Sequence, residues 1–152
     1  MSTRCGFGIL FTLLITGLAP SADPALADEM KQMALVERAT TDAVTDLGVA
    51  GDSAGDILTF ANEIFDQNND AKVGDDNGWC VRTVVGKAWE CFWTLTLAEG
   101  QITVEGPFFD AGDSVLAVTG GTGAYANARG EMKLHARDDK GTEYDFVYAL
   151  RM

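Results

Sequence analysis

Residues that commonly do chemistry are scarce in this chain. His135 is its only histidine, and cysteine occurs three times, at Cys5, Cys80 and Cys91. One imidazole and two cysteines that pair with each other cannot assemble a zinc or haem site, so neither metal nor cofactor is expected. Basic residues are few: 11 Lys and Arg stand against 23 Asp and Glu, a net charge of −12. That balance repels nucleic acid and anionic membrane and argues against nucleotide ligands; its first meaning is solubility. No apolar run reaches the roughly 20 residues that a membrane span needs. Neither a nucleophile elbow nor a Ser–His–Asp set can be drawn from the residues present.

What is present begins with a leader. Residues 1–27 carry Arg4 near the start, an apolar stretch from Phe7 to Leu18, and Ala25-Leu26-Ala27. This is the pattern of a secretory signal peptide, with cleavage expected after Ala27 and Asp28 as the mature N-terminus. Cys5 leaves with it. Residues 28–152 then form one domain, secreted or periplasmic, with no membrane insertion after cleavage. In an oxidising compartment the two remaining cysteines should be joined. A two-residue turn at Val85-Gly86 would set Cys80 opposite Cys91, Arg82 opposite Trp89 and Val84 opposite Lys87. Directly opposed residues are close enough for a disulfide.

From Gly55 onward apolar and polar residues alternate in short runs. Leu58, Phe60 and Ile64 share one face, as do Trp89, Cys91, Trp93, Leu95 and Leu97. Ile102 with Val104, Met132 with Leu134, and Tyr144, Phe146, Tyr148 and Leu150 repeat the pattern. Alternation of this kind is antiparallel sheet with one dry face. Turn signals separate the runs: DQNNDAKVGDDNG, VGK, AEG, GPFFDAGD, GGTG and DDKG. So many strands in a short domain predict an all-β fold, a closed antiparallel eight-stranded barrel, which also removes sheet edges. A two-sheet sandwich is the structural alternative. Residues 32–39 are expected to be extended, with Met33, Leu35 and Glu37 on one face.

Two loops invite a ligand reading and fail it. The glycine cluster in Val118–Gly130, VTGGTGAYANARG, lies between hairpin strands and has G-G-x-G spacing. A dinucleotide loop needs a strand before it, a helix after it and G-x-G-x-x-G spacing, so the cluster is read as a turn. The run DQNNDAKVGDDNG has calcium-friendly groups but places Ala71 and Asn77 where an EF-hand needs glycine and glutamate. It is read as a solvated loop. His135 alternates outward with Lys133 and Arg137 and is read as a surface residue.

Three polar residues fall where apolar ones belong. Asn62 is on the Leu58/Phe60/Ile64 face, Glu37 on the Met33/Leu35 face, and Arg82 on the Cys80 face. A buried amide left unpaired costs roughly 1–3 kcal/mol, and a buried carboxylate needs a partner or a shifted pKa. Arg82 is the expected partner of Glu37. One account is a satisfied structural network or a wet rim. The other is the polar end of an apolar tube, a cavity for a hydrophobic small molecule walled by Leu58, Phe60, Cys80, Trp93, Tyr144, Phe146 and Tyr148.

Specific segments then resemble a known family. GDILTFANEIFDQNNDAKVGDDNGWCV (55–81) and GQITVEGPFFDAGDSVLAVTGGTGAYANARGEMKL (100–134) are similar to allene oxide cyclase. GGTGAYANARG also resembles the dirigent-protein signature, as EYDFVYAL resembles that family's last strand; Ala126 replaces its first arginine and Arg129 matches the second. The resemblance implies an eight-stranded barrel, usually a homotrimer, and an isomerase or cyclase that steers an apolar, oxygen-bearing substrate. It makes Asn62 and Glu37 the catalytic pair, with Asn62 matching an asparagine that holds a water and Glu37 a pocket glutamate that assists ring opening. Cys80 matches a pocket cysteine, while Thr59 stands where the family has proline. A non-catalytic binder of hydrophobic small molecules is the competing function, and a barrel filled by its own side chains the structural one.

Overall fold

The computed structural model describes residues 30–152; the leader read over residues 1–27 lies outside them. Nine strands run in order: β1 (Met30–Arg38), β2 (Ala43–Thr45), β3 (Ile57–Asp66), β4 (Lys72–Val84), β5 (Ala88–Leu97), β6 (Gly100–Phe109), β7 (Ser114–Gly121), β8 (Arg129–Ala136) and β9 (Glu143–Arg151). Each pairs antiparallel with its sheet neighbours in the order β1-β9-β8-β7-β6-β5-β4-β3-β2. Pairing of Leu35–Arg38 on β1 with Glu63–Asp66 on β3 closes the sheet into a barrel of eight strands. The short β2 is the ninth strand. It pairs with Ile57–Thr59, beyond the stretch of β3 that β1 covers.

The period-2 pattern explains the interior. Ile64, Leu95, Ile102, Val104, Leu116, Met132, Phe146, Tyr148 and Leu150 are fully buried and face one another across the tube. The end where β4–β5, β6–β7 and β8–β9 turn, and where the chain crosses from β1 through β2 to β3, is the open one; β3–β4, β5–β6 and β7–β8 turn at the other. The other end is stopped by a 3₁₀ turn, Gly123–Tyr125, whose Tyr125 and the nearby Ala128 are buried. The glycine cluster is thus partly strand, since β7 runs through Gly121, and partly this plug.

Several expected turns are shorter than the sequence suggests. β4 begins at Lys72, so only residues 67–71 of DQNNDAKVGDDNG form the turn and Asp76 lies inside the barrel wall. Polar composition concealed the strand, yet Asp76, Gly78, Cys80 and Arg82 alternate inward along it. Gly78 faces Trp93 across the pair, where a Cβ would overlap that of Trp93. Likewise β6 continues through Gly106-Pro107-Phe108, and the β7 pairing ends at Glu105, so the proline breaks no ladder there. The β4–β5 hairpin sets Cys80 opposite Cys91 and Arg82 opposite Trp89 as expected, and the disulfide is present. Val84 pairs with Ala88 rather than Lys87, because an irregularity between Arg82 and Val84 adds a residue to the turn.

Candidate active site at the open end of the barrel

The chain breaks between β1 and β2, and that break builds the site. Residues leaving β1 lose their ladder partners, and Asn62 on β3 supplies substitutes. Its Oδ1 accepts from the Thr40 N–H, the Thr41 N–H and the Thr41 hydroxyl at 3.0, 3.0 and 2.9 Å. Its Nδ2 donates to Glu37 Oε1 at 2.9 Å and to Asp42 Oδ1 at 2.8 Å. Both amide hydrogens are used and the oxygen is fully engaged. Asn62 therefore has no hydrogen-bonding capacity left for a ligand; it positions the two carboxyl groups.

Glu37 and Asp76 meet inside the wall. Both are buried, at 5% and 1% exposure, and their carboxyls lie in hydrogen-bonding reach. Burial pushes Glu37 well above the usual carboxylate range, and the charge of Asp76 pushes it further. Burial raises Asp76 to about 7, against the Asn62 N–H it accepts at 3.2 Å, which pulls it down. Two buried carboxyls this close cannot both ionise, so the pair keeps a proton at neutral pH. The expected Arg82–Glu37 ion pair does not form. Arg82 reaches Asp52 at 2.6 Å and Asp110 at 2.7 Å, and its guanidinium stacks 4.0 Å from the Trp89 ring. Arg82 is one alternation further toward the hairpin tip, where those loop carboxylates approach it, and it lies apart from the inner pocket.

In front of Glu37 is a cavity of about 40 Å³. Glu37, Leu58, Phe60 and Cys80 line it, with Trp93, Tyr144 and Phe146 opposite. Phe60 meets Trp93 edge-on at 5.9 Å and Trp93 lies 5.6 Å from Phe146, so three aromatic rings form one wall. The Cys80–Cys91 disulfide is part of another. Tyr144 is raised to about 12 by burial and then by the carboxylates of Glu37 and Asp42, so it faces the pocket as a neutral phenol. Tyr148 is buried deeper and does not reach this cavity; burial drives its phenol upward. Its hydroxyl, Trp93 Nε1 and Asp76 Oδ2 are buried polar atoms without a partner among the described residues.

Sequence reasoning missed Asp42, Asp76 and Phe108. Asp76 had one available signal, the inward alternation through Gly78 to Cys80, and its polar neighbours masked it. Asp42 had none, since only the β1–β2 break carries it to the pocket. His135 is exposed, as expected, and bonds Asp113 through Nδ1 at 2.6 Å. Among the described residues no cluster of ligating side chains could hold a metal ion.

The family model for allene oxide cyclase matches residues 24–137. The chain belongs to that family. Solved structures of similar shape place the cyclase barrel in wider company. One named pyocyanin demethylase has a TM-score of 0.68 at 27% identity, over 78% of this chain and 100% of that one. The exo-specific intermolecular Diels-Alderase AbnU follows at 0.66 and 14%, covering 82% and 99%. A pterocarpan synthase dirigent protein aligns at 0.63 and 13%, covering 90% and 97%. At such identities the last two show the shared cyclase-type barrel alone.

Proposed function

We propose that this allene oxide cyclase relative is an isomerase or cyclase for an apolar, oxygen-bearing small molecule, with Glu37 as its acid. The observation that carries the reading is a carboxyl kept protonated by burial in the wall of an aromatic pocket. A neutral acid can donate to a substrate oxygen at pH 7, which an ordinary glutamate cannot. As a strained C–O bond opens, its electron pair goes to oxygen, which takes the Glu37 proton. The positive charge left on carbon faces Phe60, Trp93 and Phe146, whose ring faces attract cations. The walls fold the intermediate so that one ring closure is favoured, and the proton returns to Glu37 as the oxygen becomes a carbonyl. Asn62 is a positioning residue here, acting through Glu37 and Asp42. Names of the similar structures, a demethylase and a Diels-Alderase among them, support a barrel that hosts small organic substrates.

We further propose export with cleavage after Ala27, for which the disulfide is the support, and assembly as the family's homotrimer. A carrier that returns its ligand unchanged is the second reading. It is favoured by the saturation of Asn62, which leaves the family's asparagine nothing to hold. Incubating the protein with apolar allylic epoxides and separating the products on a chiral column decides between them. The enzyme reading expects an isomer of unchanged mass in enantiomeric excess, lowered roughly a hundredfold or more by Glu37→Gln. Recovery of intact epoxide from a protein that binds it would overturn catalysis and leave the carrier.

A further inference from the structure

Outside the inner pocket, at the same end of the barrel, lies a groove of about 440 Å³. Its walls are the β6–β7 loop, 110–113, and the β8–β9 hairpin around residues 135–141. It shares Phe108, Leu134 and Tyr144 with the inner pocket. Phe108 and Tyr144 meet edge to face, 6.0 Å between centroids at 79°, and stand between the two spaces. Gly141, at φ +65°, lets Tyr144 lie against the hairpin tip, since a Cβ there would collide with the Tyr144 hydroxyl.

The sizes of the two spaces decide how a ligand must sit. An inner cavity of 40 Å³ holds about one or two water molecules, whereas organic ligands occupy roughly 300 Å³ or more. A molecule whose reacting end reaches Glu37 must part the Phe108–Tyr144 pair and leave its remainder in the groove.

Charge decides what that remainder is. Asp110 is neutralised by Arg82, and Asp113 by Lys133 with His135. Arg137, the groove's guanidinium, is already shared by Glu143 and Asp145. Asp138 is spent on the hairpin itself, accepting from Lys140 N, Thr142 N and the Thr142 hydroxyl, and makes no ion pair among the described residues. Asp139 is exposed and makes no ion pair among the described residues. The exposed Lys140 at the hairpin tip offsets one of these two carboxylates, so the uncompensated charge in the groove is a single negative one, on a molecule already at −12.

We propose that this groove is the outer half of the substrate site, that Phe108 and Tyr144 are its gate, and that the substrate carries a cationic arm there. The proposal rests on the reading of the inner pocket as a small-molecule site. A carboxylate arm is disfavoured by the same field.

Isothermal titration of the mature, oxidised protein at low salt tests it with two probes. One is naphthalene bearing a propyl trimethylammonium arm; the other is naphthalene bearing a propyl carboxylate arm. The ammonium probe should bind about tenfold tighter or better. Asp139→Lys, a change at an exposed and unpaired side chain, should cut that ratio several-fold, and Phe108→Ala should speed association of both probes in stopped flow. Equal affinities, a preference for carboxylate, or a ratio unmoved by Asp139→Lys would overturn the groove while leaving the pocket intact. Absence of binding by both probes would overturn the pocket as well.

Discussion

Asn62 and Asp76 are direct cross-strand partners on β3 and β4, and they are opposite in legibility. Asn62 announces itself as a polar residue on an apolar face, and its partners show why it is tolerated: every hydrogen-bonding site is filled. Asp76 hides in a run of aspartate, asparagine and glycine, yet it shares the buried proton with Glu37. Its value near 7 exceeds that of an unfolded aspartate, so the native protein binds more protons than the unfolded chain between those two values. Stability from this source is therefore full below the ordinary carboxylate range and is lost as pH rises through about 7. Urea titrations from acid to alkaline pH should show that fall in the wild-type protein and a flatter profile in Asp76→Asn. Parallel profiles would remove Asp76 from the account. Glu37→Gln should flatten the alkaline side for the same reason.

Among the elements, the β4–β5 hairpin was the most readable. Alternation around Val85-Gly86 predicts the Cys80–Cys91 and Arg82–Trp89 pairs, and both occur. What failed was the turn itself: the register shifts between Arg82 and Val84, and residues 85–87 form the loop with Gly86 at φ +65°. The disulfide closes a loop over a sequence separation of 11, which in the chain-entropy picture is worth about 2–4 kcal/mol. Cys91→Ser should lower the unfolding free energy by that amount, read from urea titration as a lower midpoint. It should also weaken ligand binding, because both cysteines line the inner pocket. Equal midpoints for mutant and wild type would mean that the ladder alone holds the hairpin. At the opposite extreme is β2, a three-residue strand with all residues exposed, which has no sequence signature and exists because β3 offers it an edge.

For the whole molecule, charge is the dominant long-range quantity. A net charge of −12 on a small barrel repels itself in the folded state more than in the expanded chain. Raising salt from about 0.01 M to about 1 M shortens the screening length from about 30 Å to about 3 Å. Sodium chloride should thus raise the melting temperature by several degrees. The exposed ion pairs, such as Lys72 with Glu63 and Asp75, work the other way but are each worth about 0–1 kcal/mol. A melting temperature that falls with salt would show that those pairs outweigh the net repulsion. The proposed homotrimer belongs to this scale too: sedimentation across the same salt series should find it favoured at the high end, where the charge is screened.

Strand alternation over most of the barrel and the paired cysteines were determined by the sequence, because each rests on local periodicity or on simple inventory. Tertiary structure alone decided that Arg82 joins Asp52 and Asp110 instead of Glu37, that Asp42 and Asp76 flank Asn62, and that an acidic groove adjoins the pocket. Those outcomes depend on where a closed barrel brings distant strands and loops together, at separations of 14 to 30 residues for the bonds concerned. Neither the period of a strand nor its composition encodes that angle of closure.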